Sequence, residues 1–410
     1  MVPGNVPLLS SSATVDLIRL QTDIAYIATA TNIPAGNYTA VTLTFANPAL
    51  TFENDMATMI ANCMVGRICQ SLPTTSNLSV TVPITAFAAP ASGVAGLLID
   101  VNLDKLLTTT MGEDFSAGTT AIPFTPGGIG APAVGAEDVV GQVGNLNTSN
   151  NTFTLTNATA TYSLRVDTTS AFFFPNSVCT TPGFACLQKD QIVSVDIGLQ
   201  SNGSILARNI VFEDADSSDT EVEGIVTNTT NVGSRQFDIV VQTLSAPVTG
   251  LSVGQKVTAQ FPMTLPSQFF DMDSFHVDNL GVSTSNFLFA APSDLVVGQQ
   301  VSVRRNPTLS AGIIMADRVR LRSSRITATV QVGLPNIILN NLPSIFFGHG
   351  GILTITAQTL SIPTTIYYEV GAIINSSNVL ISDVVSVRGP LFNVGGNGRT
   401  VVTTKVVVKP

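Results

Sequence analysis

The sequence predicts an all-β protein made of tandem β-sandwich or small β-barrel domains arranged in a string. Runs rich in Val, Ile, Thr and Phe alternate apolar with polar residues between Gly, Pro, Asn and Asp, as in residues 38–45 (YTAVTLTF) and 352–357 (ILTITA). Helical periodicity is scarce, and short helices are expected only over residues 103–111 and 12–20. At 410 residues with 44% hydrophobic residues, the chain is long enough for several domains that each bury a core.

A weak internal repeat organises the chain beyond residue 134. Its first signature lies at residues 140–143, 223–226 and 327–330, its second at 192–195, 301–303 and 385–387, and its closing strand at 207–212, 316–321 and 403–408. The predicted domains are an N-terminal β-sandwich domain over residues 1–134 and repeat modules over 136–216, 219–323 and 324–410. Residues 125–135 (TPGGIGAPAVG) are expected to form a linker, and the acidic run 213–223 joins the first two modules.

Charge is unusually sparse, because Asp, Glu, Lys and Arg make up only 11% of the chain and its net charge is −9. We therefore expect no nucleic-acid partner, since phosphate binding needs clustered Lys and Arg. One basic cluster alternates along apparent strands and is expected to be a solvated sheet face, with polyanion binding as the alternative. It consists of Arg304, Arg305, Arg318, Arg320, Arg322 and Arg325.

The cysteines form two close pairs in sequence, Cys63 with Cys69 and Cys179 with Cys186. Neither pair has the C-x-x-C spacing of zinc or redox sites, so two short-loop disulfides in an oxidising compartment are expected. Free buried thiols are the alternative.

No membrane-spanning helix is predicted, because no run reaches the roughly 18 apolar residues that a span requires. The most apolar region, residues 84–101, is interrupted by Pro90, Ser92 and Gly93.

Residues 250–254 (GLSVG) match the G-x-S-x-G nucleophile elbow, which needs a helix after the serine and a later histidine. An alternating strand follows instead, and the same frame recurs at residues 295–301 with Val296 at the serine position. His349 lies in a glycine-rich segment that is expected to be a hairpin tip. A glycosidase carboxylate pair stays open, although the chain has no Trp and only five Tyr to stack on sugars. We expect no enzymatic activity.

The candidate metal site is the acidic run, where Asp214, Asp216 and Asp219 offer closely spaced oxygen ligands for calcium. Calcium between modules would stiffen the string. The spacing departs from the EF-hand loop, since Ile225 stands at the bidentate Glu position. His276 lies among three aspartates in residues 271–278, for which an exposed acidic loop is the preferred interpretation. No other cofactor is expected.

Two segments carry a family resemblance. The string VDLIRLQTDIAYI…NIPAGNYTAVTLTFANPALTF resembles an uncharacterised domain found near the N-terminus of secreted, often lipid-anchored bacterial proteins. The modules with V-x-G-x-V, F-x-[LI] and G-Q-x-V-x-V resemble a second uncharacterised family that commonly follows it, the last module matching least. The resemblance implies a location at the bacterial cell surface and supplies no chemistry.

The expected function is therefore an extracellular structural protein, a self-assembling filament subunit that uses terminal strands or β-edges. A Thr- and Val-rich surface with few lysines leaves strand edges poorly protected against pairing. The predicted assembly strands contain Val15, Leu17, Ile18, Val401, Val402, Val406, Val407 and Val408. For the C-terminal residues the alternative, which the repeat favours, is closure of their own third module. The alternative is a monomeric surface or periplasmic binding module for a glycan or a protein partner.

Overall fold

The computed structural model describes residues 5–9, 12–13, 15–18, 27, 30, 32–46, 48–54, 57–60, 62–71, 78–91, 94–106, 114–124, 135–157, 160–175, 177–200, 202–215, 220–245, 250–272, 287–305, 312–346, 352–360, 365–369, 372–395 and 398–409. Over these residues the chain is nearly all β, with an N-terminal sheet followed by three small barrels in tandem, which confirms the predicted fold class. No helix in the described part of the chain is long and apolar enough to cross a bilayer.

The N-terminal part forms one four-stranded sheet and a separate hairpin within its described residues. The elements are β1 (Gly36–Phe45), β2 (Leu50–Glu53), β3 (Ile68–Ser71), β4 (Leu78–Ala89), β5 (Gly96–Val101), α1 (Leu103–Leu106), α2 (Phe115–Gly118) and β6 (Thr119–Phe124). The sheet order is β1-β4-β6-β5, and β2 pairs with β3. α2 packs against this sheet, where the Phe115 ring stacks on Phe45 at 3.9 Å between centroids. The β-sandwich predicted for residues 1–134 stays a prediction.

Barrel 1 comprises β7 (Gly135–Asn147), β8 (Thr152–Thr156), β9 (Thr161–Arg165), β10 (Ala171–Phe173), β11 (Ile192–Leu199) and β12 (Ile205–Asp214). Barrel 2 comprises β13 (Thr220–Asn228), β14 (Gln236–Leu244), β15 (Lys256–Gln260), β16 (Phe270–Met272), β17 (Gln300–Arg305) and β18 (Ile313–Leu321). Barrel 3 comprises β19 (Ser323–Val332), β20 (Asn336–Asn340), β21 (Ile355–Thr359), β22 (Ile366–Glu369), β23 (Ala372–Ile374), β24 (Val384–Asn393), β25 (Arg399–Thr403) and β26 (Lys405–Val408).

The described strands of the barrels share one topology. In barrel 1 the ring runs β7-β8-β9-β12-β11 and closes because β11 also pairs with β7. Within this ring β9 and β12 are parallel. Barrel 2 repeats this ring with β13-β14-β15-β18-β17. Barrel 3 repeats it with β19-β20-β21-β25-β24, and its fifth strand continues as β26. A closed five-stranded Greek-key barrel is the architecture of the OB-fold.

Barrels 2 and 3 share their hydrophobic cores. Phe392 and Val402 of barrel 3 belong to the cluster that fills barrel 2, and Val296 of barrel 2 belongs to the cluster that fills barrel 3. Arg322 is the single residue between β18 and β19. A one-residue connection and a continuous core leave these barrels little freedom to move independently.

Both predicted disulfides are present and confirmed. Cys63 pairs with Cys69 between the β2–β3 hairpin and its loop, and Cys179 pairs with Cys186 beside the core of barrel 1. Disulfides of this kind are consistent with a protein outside the cytoplasm.

Of the two predicted assembly segments, the C-terminal one forms strands and the N-terminal one does not. Val15, Leu17 and Ile18 do not form a strand: residues 17 and 18 lie in a turn, where the Asp16 carboxylate accepts the Ile18 amide. The C-terminal segment forms β25 and β26, which complete barrel 3.

The C-terminal strands have no open edge for a partner chain. β25 lies between β21 and β24, and β26 lies between β22 and β24, so each has neighbours on both sides. The assembly role predicted for the C-terminal residues is therefore corrected to closure of their own barrel. These residues are Val401, Val402, Val406, Val407 and Val408.

Candidate functional site: a buried ionic junction

The outer face of barrel 2 carries a row of arginines and carboxylates on three adjacent strands. Along β13, Val222 points into the core while Glu221 and Glu223 point outward, as the two-residue period of a strand requires. The register sets Glu221 opposite Arg304 on β17, and Arg304 opposite Arg318 on β18.

Two arginines directly opposite each other on a sheet repel, so this arrangement requires nearby carboxylates. Arg304 donates to Asp214 at the end of β12 and to Asp317 on β18, each at 2.7 Å. Burial lowers the pKa of Arg304, but the bonds to Asp317 and Asp214 outweigh burial, and the net pKa is raised. Arg318 donates to the carboxylate of Glu221.

Glu213, the penultimate residue of β12, is the centre of the junction. The residue is only 1% exposed. One carboxylate oxygen accepts from Arg320 of barrel 2, and the other accepts at 2.5 Å from Arg322, the residue between barrels 2 and 3. Arg318 also donates to the Glu213 carbonyl at 2.9 Å. Glu213 of barrel 1 thus binds three arginines from outside its barrel, Arg320 and Arg322 through its carboxylate and Arg318 through its backbone carbonyl.

The pKa of Glu221 is lowered despite its burial. Only 2% of it is exposed, and it accepts from the Ser302 hydroxyl as well as from Arg318. Burial raises its pKa, but the charge of Arg318, the Ser302 hydroxyl and the charges of Arg320 and Arg322 outweigh burial, so the net pKa is lowered.

The polar contacts continue into barrel 3. Gln300 donates its side-chain amide to Glu223, accepts from Arg325 at 2.8 Å, and gives its backbone amide to the Ser324 hydroxyl at 2.9 Å. We call this set the ionic junction. Its members are Glu213, Asp214, Glu221, Glu223, Asp271, Asp317, Gln300, Ser302, Arg304, Arg318, Arg320, Arg322, Ser324 and Arg325.

The structure corrects the expectation that the arginine cluster is a solvated sheet face. Arg305 and Arg322 are buried, and Arg304, Arg318 and Arg320 bind carboxylates in a largely buried setting. The sequence showed both the arginines and the acidic run. It did not show that they meet, because Glu213 and Arg322 are separated by 109 residues along the chain.

The predicted calcium ligands are only partly within the described residues. Asp214 binds Arg304, whereas Asp216 and Asp219 lie outside the described residues. Among the residues that the structure describes, no group of three or more His, Cys, Asp or Glu is arranged to hold a metal ion. The calcium site stays a prediction, with Asp214 already engaged. His276 and His349 also lie outside the described residues.

The G-x-S-x-G match lies in a turn of barrel 2 that contacts the N-terminal hairpin. The strand β15 begins at Lys256 directly after it, as the sequence predicted, and the Gln255 side chain accepts the Ser252 amide at 3.1 Å. Thr51 of β2 donates its hydroxyl to the Gly254 carbonyl at 2.8 Å. This turn therefore connects barrel 2 to the N-terminal part.

A shallow groove of about 470 Å³ lies on the outside of barrel 1. Its walls come from β8, β9 and the loop between β11 and β12, and they include Tyr162, Arg165 and Gly203, with Ile27 of the N-terminal segment at one side. In OB-folds the second and third strands and the neighbouring loops form the face that binds oligonucleotides and oligosaccharides.

No protein-family model and no curated protein matches this chain. The family resemblance of the two segments therefore stays a prediction, and the function has to be inferred from the geometry.

Proposed function

We propose that the protein is an extracellular structural subunit of a bacterial cell surface, built as one stiff body that self-associates. The observation that carries the proposal is the ionic junction, in which Glu213 of barrel 1 binds Arg320 and Arg322. A flexible string of domains usually has exposed linkers with few contacts across them. Here Glu213 at the end of β12 and Arg322 between β18 and β19 are buried and bonded to each other.

The ionic junction has an energetic cost, and a structural role gives a reason for it. Burying charged groups requires desolvation of several kcal/mol for each ion, and an apolar interface of the same size is often as stable or more stable. What a buried, directional network adds is a defined orientation of the barrels. A subunit that sets a spacing or resists mechanical force depends on such an orientation.

Self-association is supported by the edges of the N-terminal sheet. Among the described residues, β1 pairs only with β4 and β5 pairs only with β6, which leaves one side of each strand without a strand partner. β1 has ten residues and no Lys or Arg. Such an edge lacks the charges that usually prevent pairing with another chain.

Negative-stain electron microscopy of the purified chain, with light scattering on the same sample, tests this proposal. We expect assemblies of regular shape that grow with protein concentration. A proline in the centre of β1, Thr42→Pro, should reduce them, because it removes a backbone donor from the open edge or from the β4 ladder. Monodisperse single chains at every concentration would contradict self-association.

The groove of barrel 1 favours a second candidate, a surface binding module for a glycan. Its position matches the ligand face of OB-folds, and the net charge of −9 argues against an oligonucleotide there. Titration calorimetry with oligosaccharides tests this candidate. Binding that is lost in Tyr162→Ala and Arg165→Ala but kept in Met263→Gln would support it, and no heat with any oligosaccharide class would reject it.

A further inference from the structure

Each barrel has a turn shortly before one equivalent strand of its ring, which is β11 in barrel 1, β17 in barrel 2 and β24 in barrel 3. The three turns are built alike. The fourth residue of each turn has a positive φ, namely Asp190 at 73°, Gly298 at 88° and Ser382 at 76°. The amide of that residue donates to the first strand of its barrel, at Val143, Val226 and Val330 respectively, over 2.8, 2.9 and 2.8 Å. We call these segments the left-handed turns; they span residues 187–190, 295–298 and 379–382.

In barrel 2 the second and third residues of the left-handed turn are covered by the next barrel. Val296 and Val297 are each 5% exposed, and Val296 lies in the core cluster of barrel 3. Beside them, Gln299 donates its side-chain amide to the Leu391 carbonyl of barrel 3 at 2.9 Å. This turn is an established docking contact between two barrels of the same fold.

In barrel 1 the same two positions are not covered, and they are polar. Gln188 and Lys189 occupy them and both are exposed. The chain therefore contains one example of a covered turn with apolar residues and one example of an uncovered turn with polar residues.

In barrel 3 the two turn residues are apolar but not covered. Its two positions are Leu380 and Ile381, which are 60% and 65% exposed although they are as apolar as the covered pair in barrel 2. Further exposed apolar side chains lie at the same end of the barrel, because the turn bonds β19 at Val330 just before the β19–β20 hairpin tip. They are Val332, Leu334 and Val384.

We infer that this apolar end of barrel 3, formed by Val332, Leu334, Leu380, Ile381 and Val384, is a docking surface for a second copy of this chain. The inference rests on the proposed function, since it names a surface through which the chain self-associates. Single exposed apolar residues are common, but a cluster of five at the position of a known internal docking contact indicates a missing cover.

In the internal contact the turn of barrel 2 meets a different surface of barrel 3, near Phe346 and Leu391. In the contact inferred here the two copies meet with the same surface on both sides, about a twofold axis. Within residues 379–384 and 332–335 the single charged residue is Asp383, whose carboxylate accepts the Leu380 amide at 2.7 Å. An apolar patch with so little charge is complementary to itself, as an isologous contact requires. A second, different contact at the N-terminal sheet edges would then link such pairs into an open filament.

Sedimentation velocity of the full chain tests the inference with a variant taken from barrel 1. Leu380→Gln with Ile381→Lys reproduces the natural polar pair of the uncovered turn, so the fold should be retained, which an unchanged urea midpoint verifies. We expect association to weaken by about tenfold or more, because two lysines would have to be desolvated in the contact. The control Met263→Gln removes a strongly exposed methionine of barrel 2 and should associate like the natural chain.

A single cysteine reports on the geometry, because all four native cysteines are in disulfides. Ser382→Cys should form covalent dimers with a short bismaleimide linker, whereas Met263→Cys should not. Association that persists unchanged in the double variant, or an absence of Ser382→Cys dimers, overturns the inference and leaves the proposed function intact. A natural chain that never associates overturns the proposed function itself.

Discussion

At the scale of single residues, Glu213 is the position on which the junction depends most. Its carboxylate is the only contribution from barrel 1 that binds Arg320 and Arg322 among the described ion pairs. Removing one partner of a buried pair leaves the other charges without compensation, which is far more damaging than losing an exposed pair.

Glu213→Gln is therefore expected to lower the free energy of unfolding by about 3–5 kcal/mol. The measurement is urea denaturation followed by circular dichroism. The matched control is Asp167→Asn, which removes the carboxylate of the exposed Arg165–Asp167 pair at 3.2 Å and should leave the midpoint unchanged. Equal effects of the two variants would mean that the junction adds no more than a surface ion pair.

Glu221 gives the junction a defined pH dependence. Its folded pKa is lowered from its ordinary value of 4.5, so its contribution to stability is complete above that value and is lost as the pH falls through the folded pKa. The natural chain should therefore be more stable than Glu221→Gln at pH 7, and the difference should shrink below pH 4.5. Urea midpoints of both proteins across this range measure it, and a difference that grows on acidification would refute the assignment.

At the scale of elements, the left-handed turn of barrel 2 explains why a glycine is needed at one position. Gly298 has a φ of 88°, and a Cβ added there would collide with the Phe346 ring of barrel 3. In the equivalent turns a side chain has room at the positive φ, because Ser382 is exposed and Asp190 is only partly buried.

Gly298→Ala should consequently destabilise the chain more than backbone strain alone explains. The matched control is Gly312→Ala, which has a φ of 77° and no atom within 4 Å of the added Cβ. Strain at a positive φ costs about 1 kcal/mol in each variant. Thermal unfolding should show a clearly larger loss for Gly298→Ala; equal losses would mean that Phe346 yields at no cost.

The strands themselves were the most predictable part, and the connections between distant strands were the least. Alternation in residues 38–45 predicts β1, because a half-buried strand requires a period of two residues. The sequence V-S-V occurs three times and correctly predicts three equivalent strands, β11, β17 and β24. The parallel pairing that closes each barrel joins residues such as Leu164 and Ile205, which no local pattern connects.

The same limit explains the error over the arginines. Alternation of Arg318 and Arg320 with Val319 correctly places them on the outer face of β18. An outer face is usually solvated, and only the tertiary fold brings Glu213 over it. The Cys63–Cys69 and Cys179–Cys186 disulfides were predictable because the partners are separated by only 6 and 7 residues along the chain.

At the scale of the whole molecule, the contacts indicate one body and not a string of independent domains. The N-terminal hairpin bonds barrel 2 through Thr51, and the N-terminal sheet reaches barrel 1 where Val94 lies near Gly203. Barrels 2 and 3 share a core, and Glu213 connects barrel 1 to both. These contacts fix the orientation of the barrels relative to one another, which is what the proposed structural role requires.

The most direct test of this rigidity is the distance distribution between spin labels on barrels 1 and 3, measured by double electron–electron resonance. Lys189→Cys and Leu353→Cys place labels at exposed positions, and dilution with unlabelled chain isolates distances within one molecule. We predict a single narrow distribution at pH 7 for the otherwise natural chain, and a broad one when Glu213→Gln is added. A broad distribution in the otherwise natural chain would show that the barrels move independently and would contradict the account.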